Sequence, residues 1–257
     1  MKENIFLYLV GTAGSGKSTL TGKLKEWLSL RGLDAIAVNL DPGAEKLSYT
    51  PDIDIRNWIS LKEIMNEYDL GPNGAQIVCA DMIALNAEQI KREIETFKTD
   101  YVLIDTPGQI ELFVFREAGR YLFSFLNPKR SMVAYLIDPA LTKTASGFIT
   151  QLLLSVTTKF RLGSPLINVL SKYDILEENN IRDIEKWSNL DDRLYETLIS
   201  EDPSVSRELS EQIFILLRYF GEKISLMPVS SNTLLGMEDI YTALQMSFKG
   251  GEDTLSD

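Results

Sequence analysis

Histidine is absent from the 257-residue chain. That removes the commonest general base and the commonest transition-metal ligand. Any catalysis therefore falls to carboxylates, amides, lysine, hydroxyls or a hard cation held by oxygen. Cysteine occurs once, as Cys79, and one cysteine forms neither an intrachain disulfide nor a thiolate metal cage. Long apolar runs are missing too. No stretch approaches the roughly 18 apolar residues of a membrane span, and the run that starts at Ile5 is too short for a signal-peptide core. These absences predict a soluble, cytoplasmic protein that does not engage a membrane. Positive charge is scarce: 26 Lys+Arg stand against 37 Asp+Glu, a net charge of -11. An acidic surface repels phosphodiester backbones and anionic lipids, which argues against nucleic acid as a partner.

What the sequence has is ample apolar material, 44% of residues, arranged in an alternating order. Short continuous apolar runs at 5–10, 35–40, 101–104, 132–137, 166–170 and 225–229 read as buried strands. Helical periods separate them, at 16–32, from about residue 83 to 97, at 147–160 and at 237–246. Two acidic, helix-rich stretches cover about 181–200 and 204–220. Strands without polar alternation, each followed by a helix, predict an α/β fold: a mostly parallel sheet sandwiched by helices in three layers, Rossmann-like, with helical insertions. The closing Gly250-Gly251-Glu252-Asp253 reads as a frayed tail.

The first strand runs into Gly11-Thr12-Ala13-Gly14-Ser15-Gly16-Lys17-Ser18, a complete G-x-x-x-x-G-K-[ST] phosphate loop between a strand and a helix. Glycines let backbone N–H groups curl around phosphate oxygens, and the helix N-terminus adds positive potential. Lys17 is expected to be surface-accessible and to reach the β- and γ-phosphates. Ser18 is expected to present its hydroxyl to Mg²⁺, with Thr19 completing the phosphate-binding set.

At the tip of the strand at 101–104 stands Asp105-Thr106-Pro107-Gly108-Gln109. An aspartate there is expected to anchor Mg²⁺ beside Ser18. Pro107 and Gly108 fix a turn whose backbone N–H can face a γ-phosphate. Taken alone, the tetrapeptide is also compatible with an ordinary strand-ending turn.

Ser171-Lys172-Tyr173-Asp174 follows the strand at 166–170 and resembles the [N/T]-K-x-D signature of guanine-binding GTPases, with serine in place of asparagine or threonine. The Asp174 carboxylate can accept from guanine N1–H and the exocyclic amine together, which adenine cannot match. Lys172 is expected to lay its methylene stem along the base. After the last strand, Val229-Ser230-Ser231 is expected to offer backbone N–H groups to the guanine carbonyl.

With these pieces in place, the chain resembles the GPN-loop GTPases, a branch of the P-loop GTPases in the SIMIBI class. The signature stands as Gly71-Pro72-Asn73, and further matching pieces are Asn39-Leu40-Asp41-Pro42-Gly43, Asp105 to Glu111 and Ile137-Asp138-Pro139. The resemblance covers nearly the whole chain, in a compact, archaeal-like form. It implies one P-loop GTPase domain over 1–257, with a GPN-loop insertion at about 50–80 and a helical insertion at about 180–222. It implies GTP/GDP and Mg²⁺ as cofactors and hydrolysis to GDP and phosphate. It further implies a homodimer in which Asn73, on a loop stiffened by Pro72 and freed by Gly71 and Gly74, reaches the partner's nucleotide. Asp41, Gln109 and Glu111 then organise Mg²⁺-bound waters and the attacking water. Eukaryotic relatives are linked to RNA polymerase assembly, so the resemblance points to a protein client, an RNA polymerase or an assembly factor.

Two other classes stay open on the residues themselves. One is a nucleotide-dependent kinase acting on a small molecule or a nucleic-acid end, and the other a nucleotide-gated assembly module with little turnover. The acidic stretch from 181 to 220 is a poor phosphate clamp. Its Trp187, Tyr195, Phe214 and Tyr219 read as core before client groove.

Overall fold

The structure, a computed structural model, describes residues 4–188, 190, 192–219 and 225–249. The glycine-rich tail and Phe220 lie outside them. Strand β1 (Ile5–Gly11) leads into helix α1 (Lys17–Leu30) and strand β2 (Ala35–Asn39). A two-residue strand β3 (Ile53–Asp54), helix α2 (Leu61–Glu67), helix α3 (Pro72–Leu85) and helix α4 (Ala87–Thr96) follow. Then come β4 (Tyr101–Asp105), α5 (Glu117–Leu126), β5 (Ser131–Ile137), α6 (Ala145–Leu162) and β6 (Leu166–Leu170). Three helices, α7 (Glu178–Trp187), α8 (Asp192–Ser200) and α9 (Val205–Tyr219), precede β7 (Leu226–Pro228) and α10 (Met237–Phe248).

The seven strands form one sheet in the order β3-β2-β4-β1-β5-β6-β7, and every neighbouring pair is parallel. Successive β1 side chains point to opposite faces. Phe6, Tyr8 and Val10 join the larger core, with α3 to α9. Ile5, Leu7 and Leu9 join the smaller one, under α1 and α10. Both faces are therefore dry, which is why the strands read as continuous apolar runs. Chain order reverses on either side of β1, so the C-terminal ends of β1, β4, β5 and β6 open a crevice there. Ligands of open α/β sheets bind at such a reversal.

Several elements differ from the sequence reading. The helix expected from about residue 83 begins at Pro72 and breaks at Asn86, where α4 starts. Proline is tolerated at the first helical position because the N–H it lacks has no intrahelical partner there. Gly71 caps this helix with φ −68° and Gly74 lies within it. The Gly-Pro-Asn segment is thus a helix N-terminus, and its glycines supply no left-handed backbone. Ser60 caps α2 by accepting the Glu63 N–H, a start signal followed by only seven helical residues. On α6, Phe148 and Leu152 are buried, whereas Phe160, two turns further along, points outward. Trp187 and Phe214 are core and Tyr195 is half-buried, whereas Tyr219 is exposed. Ahead of β5, Phe113, Leu122, Phe123 and Leu126 are buried core.

Candidate functional site

Gly14 and Gly16 take positive φ angles of 78° and 96°, which bends the chain between β1 and α1 into a cradle. A side chain at Gly11 would strike the Leu136 carbonyl at 2.7 Å. Thr12, Ala13, Gly14, Gly16, Ser18 and Thr19 are partly or fully exposed along the cradle, while Ser15 and Lys17 are buried. Burial of Lys17, at 5% exposure, corrects the expectation of an accessible side chain. The ammonium folds inward and donates to Gly11 O and Thr12 O at 2.9 Å and to Gly108 O at 3.2 Å. Burial pushes its pKa down, opposed by Asp105 and Asp41. Buried hydroxyls in the cradle, Thr12 Oγ1 and Ser15 Oγ, have no protein partner. A phosphate fits that deficit, since its oxygens accept from both.

Asp105 ends β4 at 1% exposure. Its Oδ2 accepts from the Tyr49 hydroxyl at 3.1 Å, while Oδ1 is buried without a hydrogen bond of normal geometry. Burial raises its pKa to about 6, against the lowering effects of the Ser18 and Tyr49 hydroxyls and the Lys17 charge. An open carboxylate oxygen beside a serine hydroxyl fits Mg²⁺, which takes one or two protein oxygens and keeps several waters. Among the described residues no cluster of three His, Cys, Asp or Glu forms a fuller cage. A pre-built site for a softer metal is therefore not what these donors make.

Asp41, just past β2, does more local work than the sequence indicated. Its Oδ1 accepts the Gly43 N–H at 2.9 Å and its Oδ2 the Gly108 N–H at 2.8 Å. The Gly108 amide expected to face a γ-phosphate is therefore held by Asp41, and it becomes available only when that bond opens. Glu111 opens a π turn, Glu111–Phe115, which has no side-chain cap, and Gln109 lies two residues before it; both are exposed. Such turns occur frequently at functional sites. Gly71, Pro72 and Asn73 are exposed at the start of α3. From the next turn of that helix, Gln76 Nε2 lies 3.4 Å from where a Gly43 side chain would begin. Helix α3 thus touches the Asp41 loop through Gln76, while Asn73 faces solvent.

The base motif leaves β6 at Ser171, whose hydroxyl donates to Ile137 O at 3.0 Å and ties β6 to β5. Lys172 holds φ at 53°, and its ammonium meets Asp138 Oδ2 at 2.9 Å. Its stem passes close to Gly16, so the lysine bridges the base motif and the phosphate loop. Asp174 is exposed and accepts from Asn232 Nδ2 at 2.8 Å. The Ser230 hydroxyl, then Asn232, hold its pKa below the usual carboxylate range. Two of the three expected amide donors are already engaged: Val229 N–H donates to Leu170 O and Ser230 N–H to Leu235 O. That corrects their role, because the β7 ladder and the tight turn into α10 use those groups. Ser231 lines the pocket, with Ser15, Gly16, Thr19, Lys172 and Asp174 among its other walls, in a volume of about 230 Å³.

Tyr49, Asp138 and Asn232 are site residues to which no role was assigned from sequence. Asp138 lay inside the quoted Ile-Asp-Pro piece. Tyr49 and Asn232 sit in loops with no periodic signal, and only the folded chain brings them to Asp105 and Asp174.

Comparison with known proteins agrees with this geometry. The family described as "Conserved hypothetical ATP binding protein" matches residues 9–250. GPN-loop GTPase PAB0955 from Pyrococcus abyssi is 33% identical over 240 residues, covering 93% of this chain and 95% of that protein. The crystal structure of that GTPase in apo form superposes with a TM-score of 0.84, over 95% of this chain and 97% of that one. GPN-loop GTPase 3 from Saccharomyces cerevisiae is 35% identical over 248 residues, 93% of this chain and 90% of its own. The chain also matches GPN-loop GTPase 1 from Dictyostelium discoideum at 26% identity, spanning 96% of itself but 62% of that longer relative. Identity above 30% across nearly full lengths, on a shared all-parallel P-loop sheet, places the chain in the GPN-loop GTPase family.

Proposed function

We propose that this chain binds GTP with Mg²⁺ and hydrolyses it to GDP and phosphate in the cytoplasm, as a homodimer whose nucleotide state switches binding of a protein client. The observation that carries the reading is one pocket walled by both nucleotide motifs. Ser15, Gly16 and Thr19 come from the phosphate loop, and Lys172 and Asp174 from the base motif. The matching family's description says ATP and the relatives' names say GTPase. Asp174 favours guanine, because an ionised carboxylate accepts from N1–H and the exocyclic amine while adenine presents no N1–H.

Lys17 leaves its carbonyl partners to meet β- and γ-oxygens as a point charge, and the cradle amides take the rest of the phosphate chain. Ser18 and Asp105 would hold the metal, which when bound would supply positive charge toward the phosphoryl oxygens. Phosphoryl transfer needs positioning and charge neutralisation more than a strong base, so the lack of histidine is no obstacle. Gln109, exposed just before the π turn, can both donate to and accept from a water. In this reading it orients the attacking water, with Glu111 and Asp41 ordering waters around it. Support for a dimer lies on α3 and α5, which pack together and expose the apolar side chains of Ile77, Leu85 and Tyr121, with Gly71-Pro72-Asn73 open at the N-terminal end of α3.

Phosphate release from GTP, with and without Mg²⁺ and with ATP as competitor, tests the activity. Sedimentation with and without nucleotide tests the dimer. Lys17→Ala is expected to abolish triphosphate binding. Unaltered affinity in a folded Lys17→Ala protein, or ATP competing equally with GTP, overturns the assignment.

A further inference from the structure

The segment between β2 and β3, residues 41–52, packs against α1 and is fastened at several points. At its start Asp41 holds Gly108 N–H. In its middle Arg56, paired with Asp54, donates to Ala44 O at 2.8 Å. At its end Asp52 accepts from Lys25 at 2.6 Å and from Ala37 N–H at 2.7 Å. Between these, the chain comes down onto α1 at Gly22. A Cβ there would stand 2.7 Å from Tyr49 Cβ, so only glycine lets Tyr49 lie this close. From that seat the phenol reaches Asp105 Oδ2 at 3.1 Å. The other oxygen, Oδ1, is left buried without a hydrogen bond of normal geometry, and the Ser18 hydroxyl lies close to the carboxylate.

We propose that Tyr49 is a positioning residue for the metal-binding carboxylate: seated on Gly22, its hydroxyl fixes one oxygen of Asp105 so that the other is presented beside Ser18. A carboxylate with one oxygen pinned has a single remaining donor direction, and a cation meets it with less ordering of the side chain. The same contact makes residues 41–52 sense the metal, because a ligand that fixes Asp105 fixes Tyr49 and the segment carrying it. The proposal rests on the magnesium reading above.

The experiment titrates Mg²⁺ against the affinity for a fluorescent GDP, in wild type, Tyr49→Phe, Gly22→Ala and the double variant, each checked by thermal melting. Wild type is expected to bind nucleotide more tightly as Mg²⁺ rises. Tyr49→Phe keeps the ring and removes only the hydroxyl. Its Mg²⁺ half-saturation is expected to rise about tenfold, with affinity in EDTA unchanged. Turnover is expected to fall at limiting Mg²⁺ and return to the wild-type kcat at saturating Mg²⁺, a split that loss of folded protein does not produce. Gly22→Ala unseats the ring without altering Tyr49 and should give a similar shift. The double variant should be no worse than either alone, since both changes break one contact. A folded Tyr49→Phe protein whose Mg²⁺ curve superposes on wild type, or shifts to lower Mg²⁺, overturns the role of Tyr49. A wild type whose nucleotide affinity ignores Mg²⁺ overturns the metal reading and this proposal with it.

Discussion

The Asp41 carboxylate accepts the Gly108 N–H at 2.8 Å, joining the loop after β2 to the turn after β4. The same carboxylate accepts Gly43 N–H, so one side chain organises both loops around Lys17. Hydrogen bonds to a charged acceptor contribute about 1.5–3 kcal/mol each. If GTP draws the Gly108 amide to its γ-phosphate, the bond to Asp41 is lost at that moment.

Asp41→Asn keeps an acceptor oxygen but gives up the charge. The nucleotide-free protein is expected to lose about 1–2 kcal/mol of stability, lowering Tm by roughly 2–8 °C for a chain of this size. With GTP bound the deficit should shrink. Paired thermal melts read this directly, and equal deficits with and without GTP would show that Gly108 stays with Asp41 throughout.

Asp105 gives a pH dependence of defined sign. Its folded pKa is raised to about 6 by burial, above the ordinary value near 3.9. Between those values the folded state holds a proton that the unfolded state has released. This residue's stabilising contribution is therefore fully present below about pH 4 and is lost as pH rises through 6. Its size is on the order of 3 kcal/mol. Melts of nucleotide-free protein from pH 4.5 to 7.5, compared with Asp105→Asn, isolate it, because the amide does not titrate. The difference between the two proteins should change across pH 6, and a constant difference counts against the raised pKa.

Asp174→Asn tests the base. GTP affinity is expected to fall by about 2–5 kcal/mol, while xanthosine triphosphate binds better, because an amide donates where xanthine carries its second carbonyl. Asn232→Ala, which removes the donor at 2.8 Å from Asp174 Oδ2, should weaken GTP by a smaller factor without changing the base preferred. Competition titrations with GTP, xanthosine triphosphate and ATP separate these outcomes. A variant at Asp174 that still prefers GTP removes that residue from recognition.

Asn73 is exposed at the head of α3, free to serve a second copy. Asn73→Ala is expected to keep GTP binding and lose most turnover. Mixed with Lys17→Ala, which binds no nucleotide, it should regain hydrolysis: the Asn73→Ala site is then served by the other chain's Asn73. If mixing changes nothing and the GTP-bound protein sediments as a monomer, the trans role is wrong.

The sheet was legible because its strands are buried on both faces and so show as unbroken apolar runs, as at Tyr101–Asp105. The cradle was legible because its residues are contiguous and phosphate dictates their spacing. Helix α3 was hidden by Pro72 and Gly74, which signal a turn unless proline falls on the first helical position. Strand β3, two residues long, is below what any periodicity detects. Tyr49 and Asp105 are 56 positions apart, and nothing in either neighbourhood marks the pair; Gly22, which lets the ring settle, carries that information only once α1 and residues 41–52 are packed together. The state of an amide such as Gly108 N–H depends on a partner 67 positions earlier, and no local pattern records it.

The register of β1 also dictates when the molecule can come into being. Ile5 lies beside Tyr101 and Gly11 beside Leu136, so the strand made first is clamped between two made much later. On a ribosome its apolar residues have no sheet neighbour until β4 is made, and they lack the second until the chain has grown past β5. The phosphate cradle, which follows β1, therefore has both of its neighbouring strands only once β5 has been made. Such long-range parallel pairing folds slowly and exposes sticky edges meanwhile, so the period before β5 emerges is when the nascent chain most needs shelter from aggregation.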